Sequence, residues 1–342
     1  MKAAILVESG KPLVVADIEL PERLEYGQVL VRVRASGICG SQIGEIDAVK
    51  GPDKFLPHLL GHEGGGVVEE TGPGVRHVKK GDCVVLHWRK GAGIEAPTPN
   101  YRWGDRVVNA GWVTTFNELA VVSENRVTAV PADTDPEIAA LMGCAVTTGL
   151  GVVVNDARLR IGESVAVFGV GGVGLNVVQG AALVSAWPII AIDKYEAKLE
   201  LAARFGATHT VLAGKGGVRD QIRAVVGSRG VDVAVDTTGA VRLIEEAYEV
   251  TTAGGRTILV GVPPAGERIS IYSLPLHFGK VLAGSHGGQA EPAADIPRYL
   301  ALCRQGRLRL KEMITHRLPL DEINRAVDLL RGGDAGRVIV TL

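Results

Sequence analysis

Cysteine is scarce in this sequence and never paired. Cys39, Cys83, Cys144 and Cys303 are the only four in 342 residues, and none belongs to a Cys-x-x-Cys pair. In a chain this long that spacing argues against a disulfide framework, and a reducing, cytoplasmic compartment is expected. Charge of one sign is also missing. The 37 lysines and arginines balance 38 aspartates and glutamates, and no basic block stands out. Recognition of a phosphate backbone needs such a block, so no nucleic-acid partner is expected.

Long apolar runs are nearly absent. The opening MKAAILVESG places an uninterrupted run of five apolar residues between Lys2 and Glu8, short of the roughly 7–15 of a signal peptide's apolar region. Residues 164–192 carry no charge and would be long enough for a ~20-residue membrane span. Clustered glycines and Trp187-Pro188 divide that stretch into strand, tight turn, helix and strand, so no membrane partner is expected. Glycine and proline, 45 and 16 residues, together stay under the roughly 25–30% of low-complexity chains. No repeat with a period of about 20–50 residues is visible.

What is present is a globular composition and a change of rhythm. At roughly 100–200 residues per domain, the length suggests two domains. Up to about residue 146, short alternating or apolar runs such as LVRVRASG and KKGDCVVL are bounded by Gly and Pro, the mark of a β-rich domain. Strand-like VAVFGV, IIAID, HTVLA, VDVAVDTTG and RTILVGV then alternate with helical stretches such as EAKLELAARFG and VRLIEEAYEV. Such βα repetition predicts a doubly wound parallel sheet over 147–285. The tail, 286–342, ends in the strand RVIVTL and is expected to rejoin residues 1–146. The fold class is therefore α/β.

Two groups of residues carry chemistry. Gly169, Gly171 and Gly174, with Gly172 and Val173 between them, form G-x-G-x-x-G between a strand and a helix. That pattern allows a tight turn, close approach of a pyrophosphate and helix-to-strand packing, with the phosphates at the helix N-terminus. Asp193 ends the next strand, 24 residues after Gly169. Its carboxylate is placed to accept from ribose hydroxyls and to repel a 2′-phosphate, which favours NAD over NADP. The second group is Cys39, His62 and Cys144. Two thiolates and an imidazole with an open fourth position make a catalytic zinc set. Spacing alone does not bring the three together, and singly each suits a protein core as well.

Taken in order, GICGS, GHEGGGVVEETGPGV, KKGDCVV, GCAVTTGLG, VAVFGVGGVGL and GRVIVTL resemble the medium-chain zinc-dependent alcohol dehydrogenases over essentially the whole chain. The resemblance implies a GroES-like catalytic domain with a Rossmann domain, and one catalytic zinc per subunit on Cys39, His62 and Cys144. Glu63 would approach the metal, and Ser41 would take the proton of an alcohol oxidised as its zinc-bound alkoxide. Thr148 is expected near the nicotinamide, Lys198 at the adenosine ribose, Arg337 on the pyrophosphate, and the backbone at Val260 and Val262 at the carboxamide. The partners implied are a small alcohol or carbonyl substrate and further copies of the chain, as a homodimer or homotetramer.

The chain also departs from that family. The lobe in which many members hold a structural zinc has no cysteine here, so that zinc is expected to be absent. The lobe carries Trp88, Trp103 and Trp112 among His87, Arg89, Lys90, Tyr101 and Arg102. His87, Trp88, Arg89, Tyr101 and Trp103 are candidate contacts for a polyol, cyclitol or sugar derivative, with packing in place of the zinc as the alternative. Gln42 replaces the usual Asp and could still orient His62. No His follows Ser41 closely as an outer station for the proton, and Glu45, Asp47 or the cofactor ribose could serve instead.

Overall fold

A computed structural model describes residues 1–333 and 335–342. The chain divides into two compact units, Met1–Cys144 with Glu291–Leu342, and Ala145–Ala290. These boundaries stand a few residues from the 146/147 and 285/286 suggested by the change of rhythm.

The first unit is built on two sheets. In the larger, a path of strands runs Val127–Val130, Cys83–His87, Glu63–Thr71, Gln28–Gly37, Arg337–Thr341 and Ile314–Pro319, with Leu119–Ser123 also on Gln28–Gly37. The smaller sheet joins Val14–Asp17, Lys2–Leu6, His58–Leu59, Arg106–Asn109 and Asn100–Trp103. The final strand runs antiparallel to Gln28–Gly37, with Ile339 opposite Gly37. Alternation puts Val29, Val31 and Val33 into one core with Val84, Leu86 and Val122, while the helix Ile323–Gly332 buries Ile323, Ala326 and Val327 against Ile38, Leu60 and Val338.

The helix Pro136–Met142 has an ordinary start. Asp135 accepts from the Glu137 amide at 3.0 Å, and Pro occupies the first turn, where a missing N–H costs nothing. The helix lies on the strand Glu63–Thr71 because glycines follow Glu63 in that strand. A Cβ on Gly65 would run into the Pro136 carbonyl oxygen.

The second unit is a six-stranded sheet ordered His209–Leu212, Ile189–Asp193, Val165–Phe168, Val231–Asp236, Thr251–Leu259 and Val281–Gly284. All five pairings are parallel. This is the doubly wound order 3-2-1-4-5-6. VAVF and IIAID are buried along their whole length, as strands covered on both faces must be. The charge-free residues 164–192 hold the strand Val165–Phe168, the helix Gly172–Leu183 and all but the last residue of the strand Ile189–Asp193. No single helix among the described residues is long and apolar enough to cross a membrane.

Candidate metal centre and dinucleotide site

Three separate pieces of the first unit supply the possible metal ligands. Cys39 is the N-cap residue of the helix Gly40–Ile46, His62 precedes the strand Glu63–Thr71, and Cys144 follows the helix Pro136–Met142. Their ligand atoms all lie within 4.8 Å of one another. A tetrahedral zinc with bonds of about 2.0–2.3 Å holds its ligand atoms roughly 3.5–3.8 Å apart, so the donor set fits the ion in kind and in size. Glu63 is not in this group.

The electrostatics follow from burial. A hydrogen bond from Cys144 holds the Cys39 thiol well below its ordinary pKa, with His62 assisting. The same bond, with burial, raises Cys144. Burial is the largest single influence on His62 and opposes its charge, but the hydrogen bond and charge of Cys39 together with the charges of Glu63 and Glu45 outweigh it, and the imidazole pKa rises. One thiolate is thus already favoured before any ion is present.

Behind the ligands lies a buried ion pair that sequence reading did not anticipate. Arg337, expected on a pyrophosphate, is 3% exposed and donates from Nη2 to Glu63 Oε1. Glu63 is fully buried. Desolvation raises its carboxyl pKa, with Arg337 pulling the other way. The pairing ties the last strand to the one after His62, within the first unit. Ser36 and Thr115 were also missed. Their hydroxyls lie 2.6 Å apart, and Ser36 Oγ donates to the Glu63 carbonyl at 3.2 Å.

Gln42 takes a different part from the one expected. Its Oε1 accepts the Cys39 amide at 2.9 Å and so fixes the backbone of a ligand rather than the ring of His62. Ser41 lies one residue into the same helix, exposed.

In the second unit, Gly169 has φ +83°, and a Cβ on Gly174 would strike the Gly169 carbonyl oxygen. Gly171 caps the helix Gly172–Leu183 without a side-chain bond, and a Cβ placed on it would meet nothing within 4 Å. The first-turn amides of this helix are therefore not covered by a side chain at Gly171, and amides at a helix start lack intrahelical acceptors. The Asp193 carboxylate accepts from the amides of Val170 at 2.9 Å and Tyr195 at 3.1 Å, one bond per oxygen, which leaves further lone pairs for ribose hydroxyls. Lys198 and Lys194 place their ammonium groups 5.1 and 4.9 Å from the Tyr195 ring centre. Thr148 is buried, and its hydroxyl has no hydrogen-bond partner among the described residues. The Val260 amide donates to Asp236 at 2.8 Å, and Val262 is exposed.

The aromatic lobe corrects two expectations. His87 is 1% exposed, with Nδ1 2.7 Å from the Arg89 carbonyl and Nε2 2.9 Å from Thr128 Oγ1. Burial lowers its pKa to about 4. Tyr101 is fully buried, its hydroxyl accepts from the Val121 amide at 2.9 Å, and burial lifts its pKa to about 12. Both residues satisfy their own chain and offer nothing to a ligand. Trp88 and Trp103 are half-buried, with Arg89 and Arg106 stacked 5.9 and 5.6 Å from their rings.

Comparison with known proteins completes the picture. Residues 25–132 match the family model of the alcohol dehydrogenase GroES-like domain, and residues 172–305 that of the zinc-binding dehydrogenases. The chain is 34% identical to the alcohol dehydrogenase class-3 of Cereibacter sphaeroides and 33% identical to the S-(hydroxymethyl)glutathione dehydrogenase of Paracoccus denitrificans, in each case over 99% of both chains. Among solved structures, an alcohol dehydrogenase zinc-binding domain protein from Burkholderia ambifaria superimposes with a TM-score of 0.91 at 28% identity, covering 100% of this chain and 98% of that one. Benzyl alcohol dehydrogenase from Acinetobacter calcoaceticus gives 0.90 at 27%, covering 100% and 99%.

Proposed function

The chain belongs to the medium-chain zinc-dependent alcohol dehydrogenases, and from that premise we propose that it interconverts a primary or secondary alcohol and its carbonyl compound with NAD. The observation that carries this is the convergence of Cys39, His62 and Cys144. Zinc held there supplies a Lewis acid that acidifies an alcohol and polarises a carbonyl, and NAD supplies the hydride acceptor. Two thiolates cancel the charge of the ion, and the Glu63–Arg337 pair adds no net charge beside it. Ser41, next to the ligand Cys39 on an exposed helix face, takes the substrate proton. In the second unit the amides after Gly171 hold the phosphates, while Asp193 accepts from the ribose and repels a 2′-phosphate.

The substrate is a polar alcohol. With His87 and Tyr101 withdrawn, a polyol, cyclitol or sugar derivative rests on Trp88, Arg89 and Trp103. A second reading is favoured by the relatives: several carry the name S-(hydroxymethyl)glutathione dehydrogenase, which makes an alcohol on an anionic thiol adduct a direct competitor. The test compares kcat/KM for NAD⁺ reduction with S-(hydroxymethyl)glutathione, benzyl alcohol, alkanols, cyclitols and sugars, in wild type and in Arg89→Ala. Highest efficiency with a simple alkanol would remove both polar readings.

The working form is a homo-oligomer in a reducing, cytoplasmic setting that keeps both thiolate ligands available. Val281–Gly284 is an edge strand of the parallel sheet, and Val262, Tyr272, Phe278 and Val281 around it are exposed. An open edge beside apolar side chains is ready to pair with a second copy about a two-fold axis. Light scattering on wild type and Val281→Pro tests this, with a monomeric wild type as the contrary result.

A further inference from the structure

The proton taken by Ser41 still has to reach water, and the helix that carries Ser41 shows a way out. In Gly40–Ile46, Gln42 and Ile46 are buried, whereas Ser41 and Glu45 are both exposed. Four residues apart, they share one face of the helix, with roughly 5–6 Å between their Cβ atoms. The other carboxylate nearby is committed elsewhere, since Asp47 pairs with Arg331. A buried pair also lies close by: His58 is 6% exposed, with Nε2 2.7 Å from Asp53 Oδ2 and Nδ1 2.9 Å from the Leu59 carbonyl.

We infer that Glu45 is the outer proton station of this enzyme, receiving the Ser41 proton and passing it to water. The step balances. The alcohol O–H proton moves to Ser41 Oγ as the Ser41 proton moves to a Glu45 carboxylate oxygen. The carbon-bound hydrogen leaves with its electron pair to the nicotinamide. Alcohol becomes carbonyl, NAD⁺ is reduced, and the Glu45 carboxylic acid releases one proton to water. The surroundings suit such a station. Although its side chain reaches solvent, desolvation by the neighbouring protein raises the Glu45 carboxyl above the ordinary range, with Asp53 adding to the rise and His58, His62 and Lys50 opposing it. A carboxyl raised toward working pH both accepts and returns a proton more readily than an ordinary one.

This assignment rests on the dehydrogenase reading, and the experiment separates the two. Zinc-loaded wild type, Glu45→Gln and Glu45→Asp are compared by zinc content, NAD binding measured by fluorescence, kcat and KM across pH, and stopped-flow proton release with an indicator dye. Glu45→Gln is expected to keep zinc and NAD, to lose about 10- to 100-fold in kcat near neutral pH, and to regain turnover in proportion to added formate or imidazole. Glu45→Asp should fall between it and wild type. A Glu45→Gln enzyme within two-fold of wild-type kcat at every pH overturns the assignment, as does a raised KM with kcat intact, which would make Glu45 a substrate contact. Loss of zinc or fold in Glu45→Gln, with Glu45→Asp no better than Glu45→Gln, overturns it too. A wild type unable to reduce NAD⁺ with any alcohol overturns the dehydrogenase reading instead.

Discussion

The ligand cluster and the cysteine-free lobe of the first unit solve the same problem in opposite ways. At the cluster, Cys39, His62 and Cys144 come from three distant segments and bring their donor atoms within 4.8 Å, an arrangement whose buried polar groups an ion would satisfy. In the lobe, the tripeptide Glu124–Arg126 does the joining with its own side chains. The Glu124 carboxylate accepts three backbone amides, from Arg76, from His77 at 2.7 Å and from Ile94 at 2.8 Å. Arg126 donates to the Trp88 carbonyl and, at 3.3 Å, to Glu95, and lies 4.9 Å from the centre of the Trp112 ring. Burying these charges is tolerable only because each meets several partners. A metal can be removed by a chelator; a carboxylate clamp can be undone only by mutation or acid.

The largest expected effect isolates the cluster from the lobe. Cys144→Ala should abolish zinc binding, from about one ion per chain to none, and lower kcat/KM by at least ~10³-fold, while near-ultraviolet circular dichroism of the lobe tryptophans stays unchanged. Zinc retained tightly by this variant would mean that the ligand set is misassigned.

Ser41→Ala then separates holding the ion from doing the chemistry. It should keep zinc and NAD yet lose roughly 10²- to 10⁴-fold in turnover, read by elemental analysis beside steady-state kinetics. Activity within a few-fold of wild type would show that protons leave without Ser41.

Glu124→Gln attacks the other side of the comparison. Weakening three charge-assisted bonds should cost about 2–3 kcal/mol of stability in urea unfolding, with zinc content unchanged. An unaltered midpoint would show that the lobe stands without its clamp.

The smallest effect is a pH dependence. Desolvation works to raise the Glu124 carboxyl, but the amides of Arg76, His77 and Ile94 outweigh it and its folded pKa is lowered. Its stabilisation is therefore fully present above the unfolded value of about 4.3 and is lost as pH falls through the lower, folded value. The stability gap between wild type and Glu124→Gln should close only below about pH 4. A gap constant down to pH 3 would contradict this.

How far the sequence could be read varied residue by residue. Gly169, Gly171, Gly174 and Asp193 were legible because strand, turn and helix are contiguous there, and local spacing carries the geometry. Cys39, His62 and Cys144 were legible as donor types. Their meeting was not, since Cys39 and Cys144 are separated by most of the first unit and only strand pairing closes the distance. His87 and Tyr101 misled for the same reason: polar aromatic residues in a lobe look available until strand register turns them inward. Gln42 could have been suspected as the third residue of a capping box whose N-cap is Cys39, although cysteine is an unusual cap.

By itself the sequence determined what depends on neighbours along the chain: the βα rhythm, the glycine turn between the first strand and helix of the second unit, the acid that ends the second strand, and the kinds of donor offered to a metal. Tertiary structure alone decided which side chains face each other across long separations. It paired Arg337 with Glu63, gave the cysteine-free lobe to Glu124 and Arg126, and set Ser41 and Glu45 on the open side of a helix whose other face is core. The physical reason is that backbone propensity acts over a few residues. Burial and the need to satisfy each buried charge act through space, and only the folded chain says which groups are near enough to do it.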